Sequence, residues 1–204
     1  MTLALFLSIA LIHLMAVISP GPSFMMAVRT AASDGFRAAL GLAVGLGLGA
    51  VVWAVAALFG LHLLFEVAPV FLTAFKVAGA AFLLWIAFQT WRHAREPLPV
   101  VAPGATPRGL RGGSVLGLLT QLANPKPAIF FGAVFVGLVP PGTGLVTLAA
   151  LLAVIFVDET LWYAFVARVF SLGRARAAYG RAKAWIDRAF GALIAGFAVR
   201  IAAG

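Results

Sequence analysis

Ser19-Pro20-Gly21-Pro22 and Asn124-Pro125-Lys126-Pro127 each interrupt a long apolar run. Proline lacks a backbone donor and collides with the preceding turn, so each motif breaks or kinks a helix that contains it. In hydrocarbon, the backbone groups freed by such a break are tolerated only where protein or a wet cavity satisfies them. Interrupted segments at corresponding places in two halves of a membrane protein point to a transporter's binding site. The two breaks therefore set both fold and function class, provided the runs around them cross a bilayer.

Composition supports that condition. Of the 204 residues, 63% are hydrophobic and 10% are charged, against roughly half and a quarter in a soluble domain. So little polar surface cannot cover a globule in water, and the chain reads as an all-α integral membrane protein. The net charge of +9 sits in short segments between apolar runs, the pattern of cytoplasmic loops. No soluble basic domain is present to bind nucleic acid. Cysteine is absent, which excludes disulfides, thiolate metal sites and cysteine nucleophiles. Met1-Thr2-Leu3-Ala4 lacks the basic start of a signal peptide, so the first apolar run is expected to remain as a span.

About six stretches reach the roughly 20 apolar residues that a membrane helix needs. They run from about Thr2 to Arg29, Ala38 to Leu63, Val70 to Trp91, Ser114 to Leu138, Leu145 to Phe170 and Ala184 to Ala203. The first and fourth contain the breaks. Basic residues cluster in the first, third and fifth connections (Arg29 and Arg37; Arg92, Arg95, Arg108 and Arg111; Arg174, Arg176, Arg181 and Lys183). The second carries Glu66 without a base, and the fourth is uncharged. Odd-numbered loops then face the cytoplasm and both termini lie outside, with Arg200 as the exception. Glu96 to Gly113 is rich in Pro and Gly and reads as a cytoplasmic linker (96–113). It divides one membrane domain (1–204) into three-helix units, 1–95 and 114–204. Three is odd, so the second unit is inverted. A shift of 105 positions lays Pro20 on Pro125 and Pro22 on Pro127. Lys76-Val77-Ala78-Gly79-Ala80 weakly resembles Arg188-Ala189-Phe190-Gly191-Ala192.

The residues at the breaks suggest a chemistry. Ser and Asn are good N-caps, and proline suits the first helical position. Ser19-Pro20 and Asn124-Pro125 both show that order, so each is expected to start a half-helix inside the membrane. Its first amides lack intrahelical partners and carry the positive end of the dipole. Such an end accepts a carboxylate. Gly21 allows close approach, Lys126 adds a full positive charge, and Gln121 and Thr120 lie near enough to line the site. The bland reading, in which the prolines only kink helices for packing, does not explain a matched pair with cap residues in front.

Asp158 lies near the middle of the fifth span. An intramembrane carboxylate usually faces the bundle interior or a wet path. Asp158 is therefore read as a proton-coupling or ammonium-binding group, against the alternative of a static ion pair with Lys126 or another base. Glu159 points about 100° away on a helix and is expected to sit elsewhere. His13 reads as a packed histidine before a proton relay, Lys76 as a snorkelling surface lysine, and Trp53, Trp91, Trp162 and Tyr163 as packing or interface residues. Gly41, Gly45 and Gly49 form a small-residue face for close helix packing. Gly45-Leu46-Gly47-Leu48-Gly49 follows no strand and is no nucleotide loop. No P-loop is present, so ATP is not the energy source in this chain, and no cofactor is expected.

At this point the residues resemble the LysE/RhtB amino-acid exporters. Ile18-Ser19-Pro20-Gly21-Pro22-Ser23-Phe24, with Gly35-Phe36-Arg37-Ala38-Ala39-Leu40-Gly41, is similar to that family's opening. Lys76 to Trp85 is similar to its third span and Asn124-Pro125-Lys126 to its fourth-span motif. Proline at 127 departs from the family's usual residue there. The resemblance implies a bacterial inner-membrane exporter of amino acids or their derivatives, driven by the proton gradient. It leaves room for a homodimer, which no motif specifies.

Joined to the residue reading, this gives a cycle. The cargo carboxylate meets the half-helix ends near Pro20 and Pro125 beside Lys126. Its ammonium meets Asp158 or competes there with a proton, and rocking of the inverted halves alternates access. An exporter or channel for another solute, such as a metal cation, is the alternative, but three histidines and no cysteine make a poor soft-metal site. An intramembrane enzyme would need facing carboxylates or a His/Ser pair. A structural scaffold would leave the paired breaks without a purpose.

Overall fold

The computed structural model describes residues 1–58, 77, 81, 84–85, 87–96, 108–135, 138–140 and 142–203. Lys76, most of the expected third span, the second connection and residues 97–107 of the expected linker lie outside them. Among the described residues the chain is helical and contains no strand.

Helix α1 (Leu3–Ile18) opens on Thr2, whose hydroxyl accepts from the Leu5 amide at 3.3 Å. It ends at Ser19, and after the Pro20-Gly21 break the chain resumes as α2 (Pro22–Ser33), bent by 57° from α1. Helix α3 (Gly35–Ala56) follows a turn in which Gly35 takes φ +82°, a conformation that side chains other than glycine's adopt with strain. Residues 87–92 are helical. Helix α4 (Leu110–Ala123) stops at Asn124. Helix α5 (Pro125–Ile129) continues as a π-helical turn through Phe130–Phe135, a feature frequent at functional sites. Helices α6 (Leu145–Phe170) and α7 (Gly173–Ala203) complete the chain.

Among the described residues two helices, α3 and α6, are individually long and apolar enough to cross a membrane, and the bent pair α1–α2 makes a third such element. Helix α7 starts well before the expected sixth span, because the basic stretch from Gly173 is helical as well.

The surface is apolar and the polar residues are inside. On α1, Leu3, Leu7 and Leu11 face outward while Ile9, His13 and Val17 are buried. On α6, Val157, Leu161 and Phe165 face outward while Ile155, Glu159, Tyr163 and Val166 are buried. A helix with Leu and Phe outward and His and Glu inward suits lipid around it.

Helices α3 and α4 touch backbone to backbone. A Cβ on Gly41 or Gly45 would strike the carbonyls of Leu110 or Ser114, and one on Gly113 or Gly117 the carbonyls of Ala38 or Leu42. Small residues allow such an approach between membrane helices. The face predicted at Gly41, Gly45 and Gly49 is this contact. Gly47 points the other way and seats Phe156 and Thr160 of α6.

Two apolar clusters lie along the bundle. One joins Val17, Phe24, Ala39, Leu42, Leu46, Tyr163, Val166 and Phe170. The other joins Ile9, Ala50, Ala54, Phe131, Phe135, Leu151 and Ile155. Between their levels, α1 contributes His13 and α6 contributes Asp158 and Glu159. The buried polar layer therefore sits between two greasy ones.

Candidate substrate and proton site

The two breaks meet. The Lys126 amine, 8% exposed, donates to the Ser19 carbonyl at 2.8 Å and to the Ser19 hydroxyl. Asn124 Nδ2 donates to Ser23 Oγ at 2.9 Å. Ser23 Oγ donates to Gln121 Oε1 at 2.7 Å, and Gln121 Nε2 donates to Glu159 Oε1 at 2.9 Å. The indole of Trp53 donates to the Gln121 carbonyl at 3.1 Å. A chain of polar groups thus runs from α5 through α2 and α4 to α6, and all of its side chains are buried. Buried polar groups need such partners, since an unpaired one costs about 1–3 kcal/mol.

The two half-helix starts differ from each other, and one differs from the sequence expectation. Asn124 caps α5: its Oδ1 accepts from the Lys126 amide at 3.0 Å, with Pro125 in the first turn. Ser19, by contrast, does not cap α2. Its amide donates to the Met15 carbonyl at 3.3 Å and its hydroxyl to the Ala16 carbonyl at 2.8 Å, so it closes α1 instead. Gly21 stands at the N-cap of α2 without a side-chain bond, and Pro22 is in the first turn. The supply of amides also differs. Pro125 and Pro127 have no N–H, and the Lys126 amide is taken, so α5 presents almost no free donors. In α2 the Ser23 and Phe24 amides precede the first helical bond, from Met25 to the Gly21 carbonyl at 3.0 Å. They have no intrahelical partner. The electropositive feature of the second break is the Lys126 side chain.

The acids also differ from expectation. Asp158 and Glu159 both face His13, although they are adjacent on α6. His13 Nδ1 lies 3.3 Å from Asp158 Oδ2, and Nε2 lies 3.9 Å from Glu159 Oε1. The ring packs against the touching pair Phe130 and Phe131, with its centroid 5.6 Å from each. An imidazole is wide enough to address two directions on a helix at once, which the argument from 100° spacing leaves out. Asp158 makes no direct bond with Lys126 among the described residues; of the pairs weighed in the sequence, Lys126 or another base, the structure shows one with another base, His13. Glu159 is the more deeply buried acid, with a side chain 6% exposed against 19% for Asp158.

Two cavities flank the first break. A small one of about 30 Å³ is lined by His13, Gly21, Ser23, Gln121, Lys126 and Glu159. Asn124, Pro127 and Tyr163 also line it, and Ala16, Val17, Phe130 and Phe131 supply its apolar part. A larger one of about 360 Å³ is lined by Pro20, Gly21, Pro22, Pro125, Lys183 and Asp187, with Gln89, His93 and Glu96 from the third helical segment. Gly21 belongs to both walls. At the larger cavity, Lys183 binds Asp187 at 2.7 Å and the His93 carbonyl at 2.9 Å, which ties α7 to residues 87–96.

Of the residues singled out in the sequence, Gly21, Gln121, Asn124 and Lys126 line the small cavity, and Ser19 reaches it through Lys126. Pro20, Pro22 and Pro125 line the large one. Asp158 lines neither and is joined to the site by His13. Ser23, Glu159 and Tyr163 were missed. The signal for Ser23 was its position in the first turn of a half-helix. The signal for Tyr163 was its place one turn beyond Glu159 on the same face of α6. Among the described residues no three His, Cys, Asp or Glu side chains converge to hold a metal ion; the two acids occupy opposite nitrogens of His13.

The family model for "LysE type translocator" matches residues 14–204. The threonine efflux protein of Escherichia coli (strain K12) is 38% identical over 201 residues, covering 98% of each chain. The threonine efflux protein of Salmonella typhi is 35% identical over 201 residues, again covering 98% of each. An uncharacterized membrane protein of E. coli K12, YahN, is 29% identical over 204 residues, covering 97% of this chain and 88% of its own. No solved structure matches.

Proposed function

The chain belongs to the LysE type translocator family, a family of membrane transporters rather than enzymes, and we propose that it exports amino acids or their derivatives by proton antiport across the bacterial inner membrane. The observation that carries this reading is the direct bond between the two breaks: Lys126 of one holds Ser19 of the other. A positive charge buried beside free helix amides is what an amino-acid carboxylate needs.

In the proposed cycle the cargo arrives in the larger cavity. Its volume of about 360 Å³ falls in the range of small-molecule sites. The small cavity of about 30 Å³ has room for water but not for an amino acid. Cargo therefore advances only when the Ser19–Lys126 contact opens. The Ser23 and Phe24 amides of α2 and the Lys126 amine take the carboxylate, and Ser23, Gln121 and Asn124 offer further polar contacts. The acids of α6, Asp158 first among those read from the sequence, take the ammonium or a proton. Six spans arranged as two inverted units, 1–95 and 114–204 about a cytoplasmic linker, supply the rocking motion, with both termini outside.

Named relatives are threonine efflux proteins, so threonine heads the panel of amino acids for a test. Purified protein in proteoliposomes loaded with labelled amino acid should release it faster when protons are offered on the opposite side, and should acidify the loaded side as it does so. If no amino acid leaves faster than from protein-free vesicles under either polarity of the pH gradient, the reading is wrong. Efflux that ignores the gradient would retain the exporter and remove the antiport.

A further inference from the structure

His13 lies where a proton could change hands. Its two ring nitrogens face different carboxylates, Asp158 on one side and Glu159 on the other. The ring is 1% exposed and packs against the paired rings of Phe130 and Phe131, which keeps it out of the lipid. The two acids differ in access: the Asp158 side chain keeps 19% of its surface exposed, whereas that of Glu159 keeps 6%. Glu159 Oε1 accepts from Gln121, and its Oε2 has no hydrogen-bond partner among the described residues. Glu159 lines the small cavity, as His13 does. About 30 Å³ of space beside these polar groups is enough for a water, which would bridge the 3.9 Å between His13 Nε2 and Glu159 Oε1 that is too long for a direct bond.

We propose that His13 relays protons between Asp158 and Glu159, and that Glu159 is the carboxylate that is loaded and unloaded beside the cargo. The relay deepens the antiport reading by naming the path and the terminal acid, and its own test needs no cargo. Asp158 gives its proton to His13 Nδ1. The ring then releases the proton on Nε2 through a water to Glu159, and a turn of the ring that exchanges its two nitrogens resets it before the next cycle. One proton leaves Asp158 and one arrives on Glu159, with no other group changed. Imidazole suits this role because one nitrogen accepts while the other donates.

The groups facing Glu159 explain why its charge matters to the cargo. They are His13 from α1, Gln121 from α4, Lys126 from α5, and Asp158 and Tyr163 on its own helix. Lys126 is the cation among them. Ionised, Glu159 offers the cargo ammonium a partner; protonated, it does not, so the proton and the ammonium exclude one another on a single group.

The test is a pH jump on the purified protein in nanodiscs, read by time-resolved infrared absorption of carboxyl groups. Glu159→Gln should delete one carboxyl band that appears and disappears with pH. His13→Gln should leave that band in place but slow its rise after the jump by about tenfold or more, the range of a lost general acid–base group. Asp158→Asn should slow it as well, and serves where His13→Gln fails to fold. An unaltered rate in a folded His13→Gln or Asp158→Asn protein overturns the relay, and so does a spectrum without a band that Glu159→Gln removes. Failure of every amino acid to be transported would instead overturn the exporter reading and leave these spectra to judge the relay.

Discussion

Gly112 and Gly113 are neighbours on α4, yet replacing each by alanine should have opposite effects. A Cβ on Gly112 would find Arg108 side-chain atoms at 3.5 and 3.8 Å, ordinary contact with a flexible partner. A Cβ on Gly113 would collide with the Ala38 carbonyl oxygen, with the Ala38 carbon at 2.9 Å and the Leu42 nitrogen at 3.1 Å. Those atoms are hydrogen-bonded backbone of the first two turns of α3 and cannot rotate aside. Both substitutions gain helix propensity, about 0.5–1 kcal/mol. Only Gly113→Ala must push two helices apart, and overpacking of this kind costs about 1–3 kcal/mol. Gly112→Ala should therefore be neutral or slightly stabilising, and Gly113→Ala should be less stable than it by about 1–3 kcal/mol. Reversible unfolding in mixed micelles of rising SDS fraction, followed by helical circular dichroism and tryptophan fluorescence, measures the difference. Equal midpoints for the two variants would refute the backbone-to-backbone contact. The displacement should also reach function, because α4 carries Gln121 and delivers the chain to Asn124. Gly113→Ala should lose transport in proportion to its loss of stability, while Gly112→Ala keeps both.

Lys126→Met should abolish amino-acid efflux from proteoliposomes, and it should also lower stability by about 1.5–3 kcal/mol, the usual worth of a hydrogen bond to a charged group; wild-type efflux rates would remove Lys126 from the site. Asn124→Ala loses both the cap on the Lys126 amide and the donation to Ser23, and should cost about 2–3 kcal/mol in the SDS titration. Asn124→Asp keeps the capping oxygen and loses only the donor, so it should retain roughly half of that stability; identical losses would mean that the two bonds do not act separately.

Both breaks could be located from the sequence because proline has the same effect in any context: no N–H and a ring that blocks the preceding turn. The glycine face of α3 could be located for a similar reason, since a four-residue repeat fixes the face before the partner is known. The partner was not legible. Gly113 and Gly117 complete the contact from α4, yet nothing in a list of apolar residues pairs two particular helices. Cap assignment failed at Ser19 because a serine before a proline can serve either neighbouring helix. Here it closes the one behind it, and the chain needs Gly21 to begin the next. The missed acid shows the limit of helical spacing as an argument. A rotation of about 100° separates the directions of adjacent side chains. It does not separate their partners when one of them is a two-sided ring.

Lys126 and Glu159 line one small cavity with His13, and this placement bears on how proton and cargo are coupled. Coupling between distant sites needs a conformational element that both sites bias. Groups sharing one wall need only exclude one another, because a carboxylate cannot hold a proton and an ammonium together. The conformational part is then confined to access. Gly21 stands between the small and large cavities, and the same segment is fastened by Lys126 through Ser19. A cargo carboxylate that takes Lys126 competes directly with the Ser19 carbonyl for the same amine. In the proposed cycle, cargo binding and release of the bond between the breaks are therefore one event at one nitrogen. A lysine serves this purpose better than an arginine would: its ammonium is a compact donor on a flexible stem that can change partners, whereas a guanidinium fork favours one planar arrangement.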